Sequence, residues 1–459
     1  MSQYIKDPLE ETQQPASKSG RPAYGRASSV SVFVLLAIVC LALVLFSTQI
    51  LANLISLKTA QGNSTSQVDV TLNASSVAQS SPFFRPDGKV VSPLKLPGNP
   101  TLLWQNRDGI FQLSTSQQAV QTIATPGYTY NEAVTPLLTP SGQLLYSGEE
   151  GIWLLSTLKQ PAVPTRLAHF DPNMMITSLA LSQDGKMVAW ITRPASGGGQ
   201  TKIYAGSLEA PGLIWQQSTV DCPCYRIFSF LPGKDTTLLL TNDQGSNQIT
   251  QYGLWSLDIT HPAGEPHQIM DGNSQKGPLM LSPSGSTLLY SPYEGVVSPP
   301  ADNGVPQEIA TLSYANSLSL AALHGSLPTL GNSQTLLPEQ HNLLDNALYH
   351  WVTTPTFSPD SSTLAYVEFS SDSQPPYSRH SALYLVKISG SGEQTQTEQP
   401  SLFMTTTSKL LELGPWLNNH VMTLYGDGYI YAMDIQSGAS TILAQPGRYT
   451  HILGIIGAR

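Results

Sequence analysis

The stretch PTFSPDSSTLAYV (355–367) decides the fold. It joins an apolar segment to a second apolar segment through a turn of Ser, Pro and Asp. The same phrase recurs as PLLTPSGQLLYS (136–147), LALSQDGKMVAWI (179–191) and LMLSPSGSTLLYS (279–291). Weaker copies are FSFLPGKDTTLLL (228–240) and PWLNNHVMTLY (415–425). Pro, Asp, Asn and Gly supply the backbone angles of a tight turn. The Leu, β-branched and aromatic letters that follow suit a strand buried on a pleated surface.

A third strand follows each pair: GIWLLST (151–157), KIYAGSL (202–208), YGLWSLDI (252–259), ALYLVKI (382–388) and GYIYAMDI (428–435). A short fourth comes next: RLAHF (166–170), LIWQQS (213–218), HQIMD (267–271), QEIA (307–310), LFMTT (402–406) and STILA (440–444). Four short antiparallel strands repeated every 40–50 residues or so spell the blade of an all-β propeller. The first unit, TLLWQN (101–106), GIFQLST (109–115) and QTIAT (121–125), lacks a first strand, and the chain ends on YTHILGIIG (449–457), a strand without followers. Joined in one blade, the two halves close the ring and remove its open edge. Setting 313–350 aside as an insertion, the remainder of 96–459 gives about 47 residues per blade for seven blades. Six is the alternative, because PSGSTLLYSPYEGVVSPPA (283–301) is the least regular unit. Within the insertion, PEQHNLLDNALYHW (338–351) has apolar residues at 343, 344, 347 and 348, a helical spacing that predicts a cap over the channel.

The Ser-Pro-Asp/Ser-Gly phrase followed by alternating apolar and aromatic letters resembles the WD-repeat-like units of TolB-type propellers. The resemblance covers the repeat units and implies an architecture. Members of that family are often extracytoplasmic and act in protein complexes; this sequence departs from them by its upstream apolar run and its central insertion, so no partner is carried over from the resemblance. An activity does not follow, because propellers host many unrelated functions.

Of 459 residues, 22 are basic and 31 acidic, and only 12% are charged. This composition excludes a coiled coil and argues against nucleic acid as a partner. No nucleophile elbow, zinc-protease helix, phosphate loop, dinucleotide fingerprint or calcium loop occurs. The nine histidines are scattered, and His261 and His267 flank a Pro-Ala-Gly loop. Asp184, Asp360 and Asp427 read as turn formers. No catalytic residue, metal or cofactor is implied. Cys222 and Cys224, beyond the apolar run, stand one residue apart. A local bridge, which would be strained, is the first reading, with free or partner-linked thiols and a redox or metal role left open.

Upstream, 27–57 holds no charged residue, and VSVFVLLAIVCLALVLF (30–46) is densely apolar. A span needs roughly 20 such residues. The run exceeds a signal-peptide core and lacks a cut site, so 29–57 is expected to be an uncleaved transmembrane helix. Cys40 within it reads as a lipid-facing residue. Lys18, Arg21 and Arg26 precede the span and only Lys58 follows closely, which places the N-terminus in the cytoplasm. The tail 1–28 is expected to be disordered and 58–95 to be a flexible extracytoplasmic stalk, with the propeller over 96–459. Asn63-Ser-Thr65 and Asn73-Ala-Ser75 match a weak glycosylation pattern.

Connections from the fourth strand of one blade to the first of the next open on one face. They carry the candidate binding residues Tyr128, Tyr130, Asn173, Tyr225, Arg226, Lys276, Arg448 and Tyr449, with Cys222 and Cys224 beside them. Tyr and Arg are enriched at interaction sites. Because the chain enters the ring at a second strand, the opposite face is expected to lie nearer the membrane. The sequence thus predicts a single-pass cell-membrane protein displaying a recognition scaffold for a protein, peptide or envelope ligand. The runner-up is a glycan hydrolase or lyase at the channel mouth, using Glu132, Asp171 or Asp221. A sensor acting through a separate cytoplasmic partner is the third reading.

Overall fold

Second strands of the repeat carry adjacent apolar letters, as in Leu144-Leu145, Leu238-Leu239-Leu240 and Leu288-Leu289. Successive side chains of a strand point to opposite faces. All seven of these leucines are fully buried, so both faces of each sheet are covered. The computed structural model shows how. Seven antiparallel sheets, six of four strands and one enlarged to six, form an all-β, seven-bladed propeller. The structure describes residues 81–459 apart from 97, 116–118, 132–133, 149, 160–161, 172, 197–198, 219–224, 243–250, 277–278, 293–316, 326, 339–347, 373–378, 391–393, 408–410, 448–449 and 458–459.

The ring closes as the sequence predicts. Blade one pairs the C-terminal strand His451–Ile456 with Thr101–Asn106, followed by Gly109–Ser114 and Ala119–Ile123. Blades two to five begin with Leu137–Leu138, Met174–Leu181, Tyr225–Leu231 and Met280–Leu281, and blades six and seven with Leu348–Phe357 and Leu411–Trp416. The core is a circle of seven apolar layers, one between each pair of neighbouring blades. Strand alternation divides the side chains between layers: Leu102 and Trp104 join blade seven, and Leu103 joins blade two.

The recurring turn has a common internal logic. A hydroxyl opens it and reaches forward: Ser182 Oγ accepts from Met187 N at 2.9 Å, Ser282 Oγ from Thr287 N at 3.1 Å and Ser358 Oγ from Thr363 N at 2.9 Å. Where Asp is third, its carboxylate accepts from that hydroxyl, at 2.7 Å in Asp184 and 2.6 Å in Asp360. Hydrogen bonds from the Lys186 backbone, the Ser182 hydroxyl and the Lys186 ammonium hold the Asp184 carboxyl down at about 2. Gly185 takes φ +74°, and a Cβ there would stand 2.8 Å from Pro140 of blade two. Glycine therefore permits both the turn and the close approach of its neighbour. Blade six has Ser361 at the equivalent place with φ 62°, and its hydroxyl accepts from Ser284 N of blade five at 3.1 Å. Replacing Ser358, which is fully buried, by Ala removes one partner from Thr363 N. The expected loss is about 1–2 kcal/mol of unfolding free energy in a denaturant titration.

Several expectations are corrected. Residues 313–350 are not an insertion: Leu318–His324 and Thr329–Leu337 are the third and fourth strands of blade five, and Leu348–Phe357 opens blade six. The second-to-third connection of blade five is long, and its apolar letters mimic a fourth strand at 307–310, which lies outside the described residues. The helical spacing at 343–348 gives no helix at its described end, because Leu348 begins a strand.

The stalk does not extend to residue 95. Phe83–Phe84 adds a strand to the outer edge of blade six, pairing with Thr406 and Thr405. Phe83 is buried and meets Tyr431 edge-on at 5.1 Å. The Arg85 guanidinium grips Asp87 at 2.9 Å and donates to Ser437 O at 2.5 Å. Leu94 N donates to Ser440 O, and Leu94 and Leu96 pack on Leu417 and Val421. The strap 81–96 follows from two aromatic letters, a Pro-Asp-Gly turn and spaced apolar residues inside a segment that reads as polar linker.

The chain therefore meets the ring at the rim of blades six and seven, before Thr101. The expectation that the second-strand entry turns one face to the membrane loses its premise. The expected tail, span and upstream stalk (1–80) lie outside the described residues. Among the described residues no helix is long and apolar enough to cross a membrane.

Candidate functional site

Antiparallel order gives the ring two unlike ends. One end carries the first-to-second and third-to-fourth connections, and the other carries the second-to-third and fourth-to-first connections. At the first end the repeated turns are tied to one another. Gly142 faces Ile456 of blade one, Gly185 faces Pro140, and Gly285 faces Pro232. Gln183 Nε2 donates to Pro283 O at 3.1 Å, from blade three to blade five, and Asp360 N donates to Asn419 Oδ1 at 3.1 Å, from blade six to blade seven. A side chain that skips a blade requires the turns to converge on the axis. This turn end is narrow and bonded.

The two longest connections, 124–136 and 291–317, are at the loop end, with 243–250, 338–347 and 373–378 beside them, and the turn end has connections of lengths comparable to these three at 156–164, 259–266 and 390–400. The described parts of the loop end are held by tyrosines. Tyr146 OH donates to Pro126 O at 3.4 Å and Tyr425 OH donates to Gly447 O at 2.6 Å. Asn106 Nδ2 donates to Pro446 O at 3.4 Å. A matching signal was present in the sequence, in ATPGYTY (124–130) and AQPGRYTH (444–451): each Pro-Gly pair offers carbonyls to a buried tyrosine or asparagine below it.

The structure divides the expected binding residues. Tyr128 is half-buried; it bridges Gly148, donates to Gln105 Oε1 at 2.5 Å and meets Tyr146 edge-on at 6.2 Å. Burial pushes its hydroxyl, and that of Tyr146, up to about 12. Tyr225 is a correction: it is 7% exposed and sits edge-on between Trp215 and Trp255, both centroids 5.4 Å away. It opens an inner strand, where both sheet faces are covered, so an aromatic letter there is core. Burial, with the Glu265 charge, raises its hydroxyl to about 12.

Arg226 Nη2 reaches back to Thr177 O of blade three at 3.3 Å and is a clasp between blades. Asn173 is exposed in the left-handed region, at φ 69°, where its carbonyl accepts from Ala195 N. Tyr130 is half-buried on the connection from blade one to blade two. Lys276 ends the outer strand of blade four, paired with Gln251. Cys222, Cys224, Arg448 and Tyr449 lie outside the described residues.

Sequence reading missed a cavity of about 280 Å³ between blades two and three. Trp190 and Tyr204, stacked at 5.1 Å and 9°, form one wall, and Phe170, Met174 and Leu213 form others. The exposed His169 and Asp171 stand at its edge. Nearby, Glu150 Oε2 holds Arg166 at 3.2 Å, and the guanidinium lies over the Trp153 ring at 5.6 Å. The arrangement is an aromatic recess with polar edges. Among the described residues, no three His, Cys, Asp or Glu side chains come together as metal ligands would.

No protein-family model matches the chain, and no curated protein matches it. Solved structures to which it is similar include the periplasmic gluconolactonase of Pseudomonas aeruginosa, 11% identical, with 79% of this chain and 99% of that chain covered at a TM-score of 0.47. TolB from Acinetobacter baumannii is 15% identical, with 67% and 68% covered at 0.35. The Dos1 propeller is 12% identical, with 77% and 88% covered at 0.38.

Proposed function

We propose that this chain is a membrane-anchored, extracytoplasmic propeller that recognises a protein, peptide or envelope ligand through its loop end. The observation that carries the reading is the inequality of the two ends. The turn end draws its repeated turns together across the axis, whereas the loop end bears the two longest connections and stands beside the aromatic cavity. Recognition belongs on loops held by a rigid frame. The uncharged run 27–57, with basic residues on its N-terminal side, supports the anchor and its direction.

Charge changes at the two ends test this in the full chain. Asp108→Arg and Thr129→Arg alter exposed positions of the loop end, and Glu209→Arg alters one of the turn end. The wild-type chain should sediment with membranes and co-purify with its ligand after detergent extraction. The loop-end pair should weaken recovery about ten-fold, about 1.4 kcal/mol, and Glu209→Arg should leave it unchanged. A chain recovered in the soluble fraction would remove the anchor, and the reverse pattern of losses would remove the face.

A further inference from the structure

Tyr204 of blade three and Tyr431 of blade seven hold the same place in their sheets. Tyr204 pairs with Trp190 of the second strand, and Tyr431 with Leu424. Each lies just past a shift in register with its outer strand, where it stands opposite Leu213 or Ile442. Directly opposed residues share a face of the sheet. In both blades that face turns toward the preceding blade. The outer aliphatic residue is exposed in each, 46% for Leu213 and 40% for Ile442.

The two clefts differ in what fills them. Between blades six and seven, Phe83 meets Tyr431 edge-on at 5.1 Å, and Phe83–Phe84 extends the sheet of blade six beyond its outer strand Ser401–Thr406. Met404, opposite Leu383 just before the shift in register, packs in the same layer. Blade two has neither. Among the described residues, Thr165–His169 is the outermost strand of its sheet. At the register place of Met404, opposite Ile152, stands Ala168. In blade three Trp215 holds that place, opposite Ile203, and packs toward blade four. With no added strand and only a methyl group at Ala168, the cleft between blades two and three keeps its cavity of about 280 Å³. A cavity of about 150 Å³ accommodates benzene, so an aromatic side chain fits.

We propose that this cleft is a docking site for an extended peptide segment of a partner protein, which adds a strand outside Thr165–His169 and lays an aromatic side chain against Tyr204. Main-chain hydrogen bonds to the sheet edge would hold the segment, and the cavity would select its side chain. The occupant's chemistry is read from the strap, which fills the equivalent cleft of the same molecule. Phe83 is buried in its cleft, whereas Phe84, on the opposite face of the added strand, is 53% exposed. The segment therefore needs one aromatic residue directed inward and tolerates any residue after it. This site is additional to the recognition proposed for the loop end and does not depend on the membrane anchor.

The test is a fluorescence-anisotropy titration of the full chain in detergent with a labelled peptide of the strap's own sequence, SPFFRPDG (81–88). Binding should saturate. Ala168→Met, which installs the blade-six side chain and fills the cavity, should raise Kd about ten-fold or more, and so should Leu213→Arg at the exposed mouth. Both variants should melt within about 5 °C of wild type. In the peptide, Phe83→Ala should raise Kd about ten-fold, and Phe84→Ala less than about three-fold. Equal binding by wild type, Ala168→Met and Leu213→Arg would mean that the peptide exchanges with the strap at blade six, and would overturn the proposal. No saturation up to about 1 mM peptide would overturn it as well. A wild-type dimer that both variants dissociate would give the seat to a second copy and overturn the partner peptide.

Discussion

Removing residues 450–459 should abolish cooperative unfolding of the propeller. The last strand, His451–Ile456, makes the inner edge of blade one and pairs with Thr101–Gln105. It also supplies Ile452 and Ile455 to the layer shared with blade seven, and Leu453 and Ile456 to the layer shared with blade two. Truncation therefore opens two of the seven layers at once. It leaves Leu102, Leu103 and Trp104, all buried in the intact ring, without one neighbour. Burying such a side chain contributes roughly 1.5–3 kcal/mol. Several lost together exceed the 5–15 kcal/mol or so by which domains are stable. Calorimetry of the full chain should show a heat-absorbing transition and the truncated chain none. A truncated chain that melts within about 5 °C of the intact one would mean that the ring does not depend on its closure.

Tyr225→Ala should cost about 3–5 kcal/mol, the range for emptying an aromatic site in a core. The ring fills the space between Trp215 and Trp255, and edge-on pairs add to the burial. Tyr225→Phe keeps both contacts and should cost less than about 1.5 kcal/mol. Urea unfolding of both variants checks this. The linkage has a definite sign. Burial raises the Tyr225 hydroxyl to about 12, above the usual value for an unfolded chain. The contribution of this group to stability is complete below about pH 10 and is lost as pH rises toward 12. Tyr225→Phe should blunt that alkaline loss. Equal stability of wild type and Tyr225→Ala would return this tyrosine to the surface role that the sequence suggested.

The repeat was legible because its turn chemistry and its strand letters agree. A hydroxyl, an Asp or Ser and a Gly, each at a fixed offset, are enough to mark an inter-strand turn, and the Leu pairs that follow report burial on both faces. Closure was legible from two incomplete units, one at each end of the repeats. Blade five was misread because its third strand, LSLAALH, lacks the aromatic letters of its counterparts, and because apolar letters in the preceding connection imitate a strand. The strap was hidden for a related reason. FF and VV lie within a Ser- and Pro-rich segment, and only the opposing strand Ser401–Thr406 turns that segment into structure.

The candidate site was legible in outline only. Topology predicts correctly that the fourth-to-first connections share one end of the ring. It does not say which of their side chains turn inward. Tyr128 and Tyr225 face packed neighbours, and Arg226 clasps the adjoining blade. Inner strands begin within a residue or two of these connections, so a one-residue difference in register exchanges a surface position for a core one. The cavity beside Trp190 and Tyr204 was not legible at all, since its lining comes from strands of two different blades.

The central claim is that recognition occurs at the loop end. Photo-crosslinking of the full chain in its native membranes tests it most directly. A crosslinkable residue is placed at the exposed Asp108 or Thr129, and at the exposed Glu209 or Leu327 of the turn end. The account predicts one dominant adduct, to a protein, peptide or envelope component, from the loop-end positions alone. The same adduct from the turn-end positions, or adducts from those positions only, would contradict it.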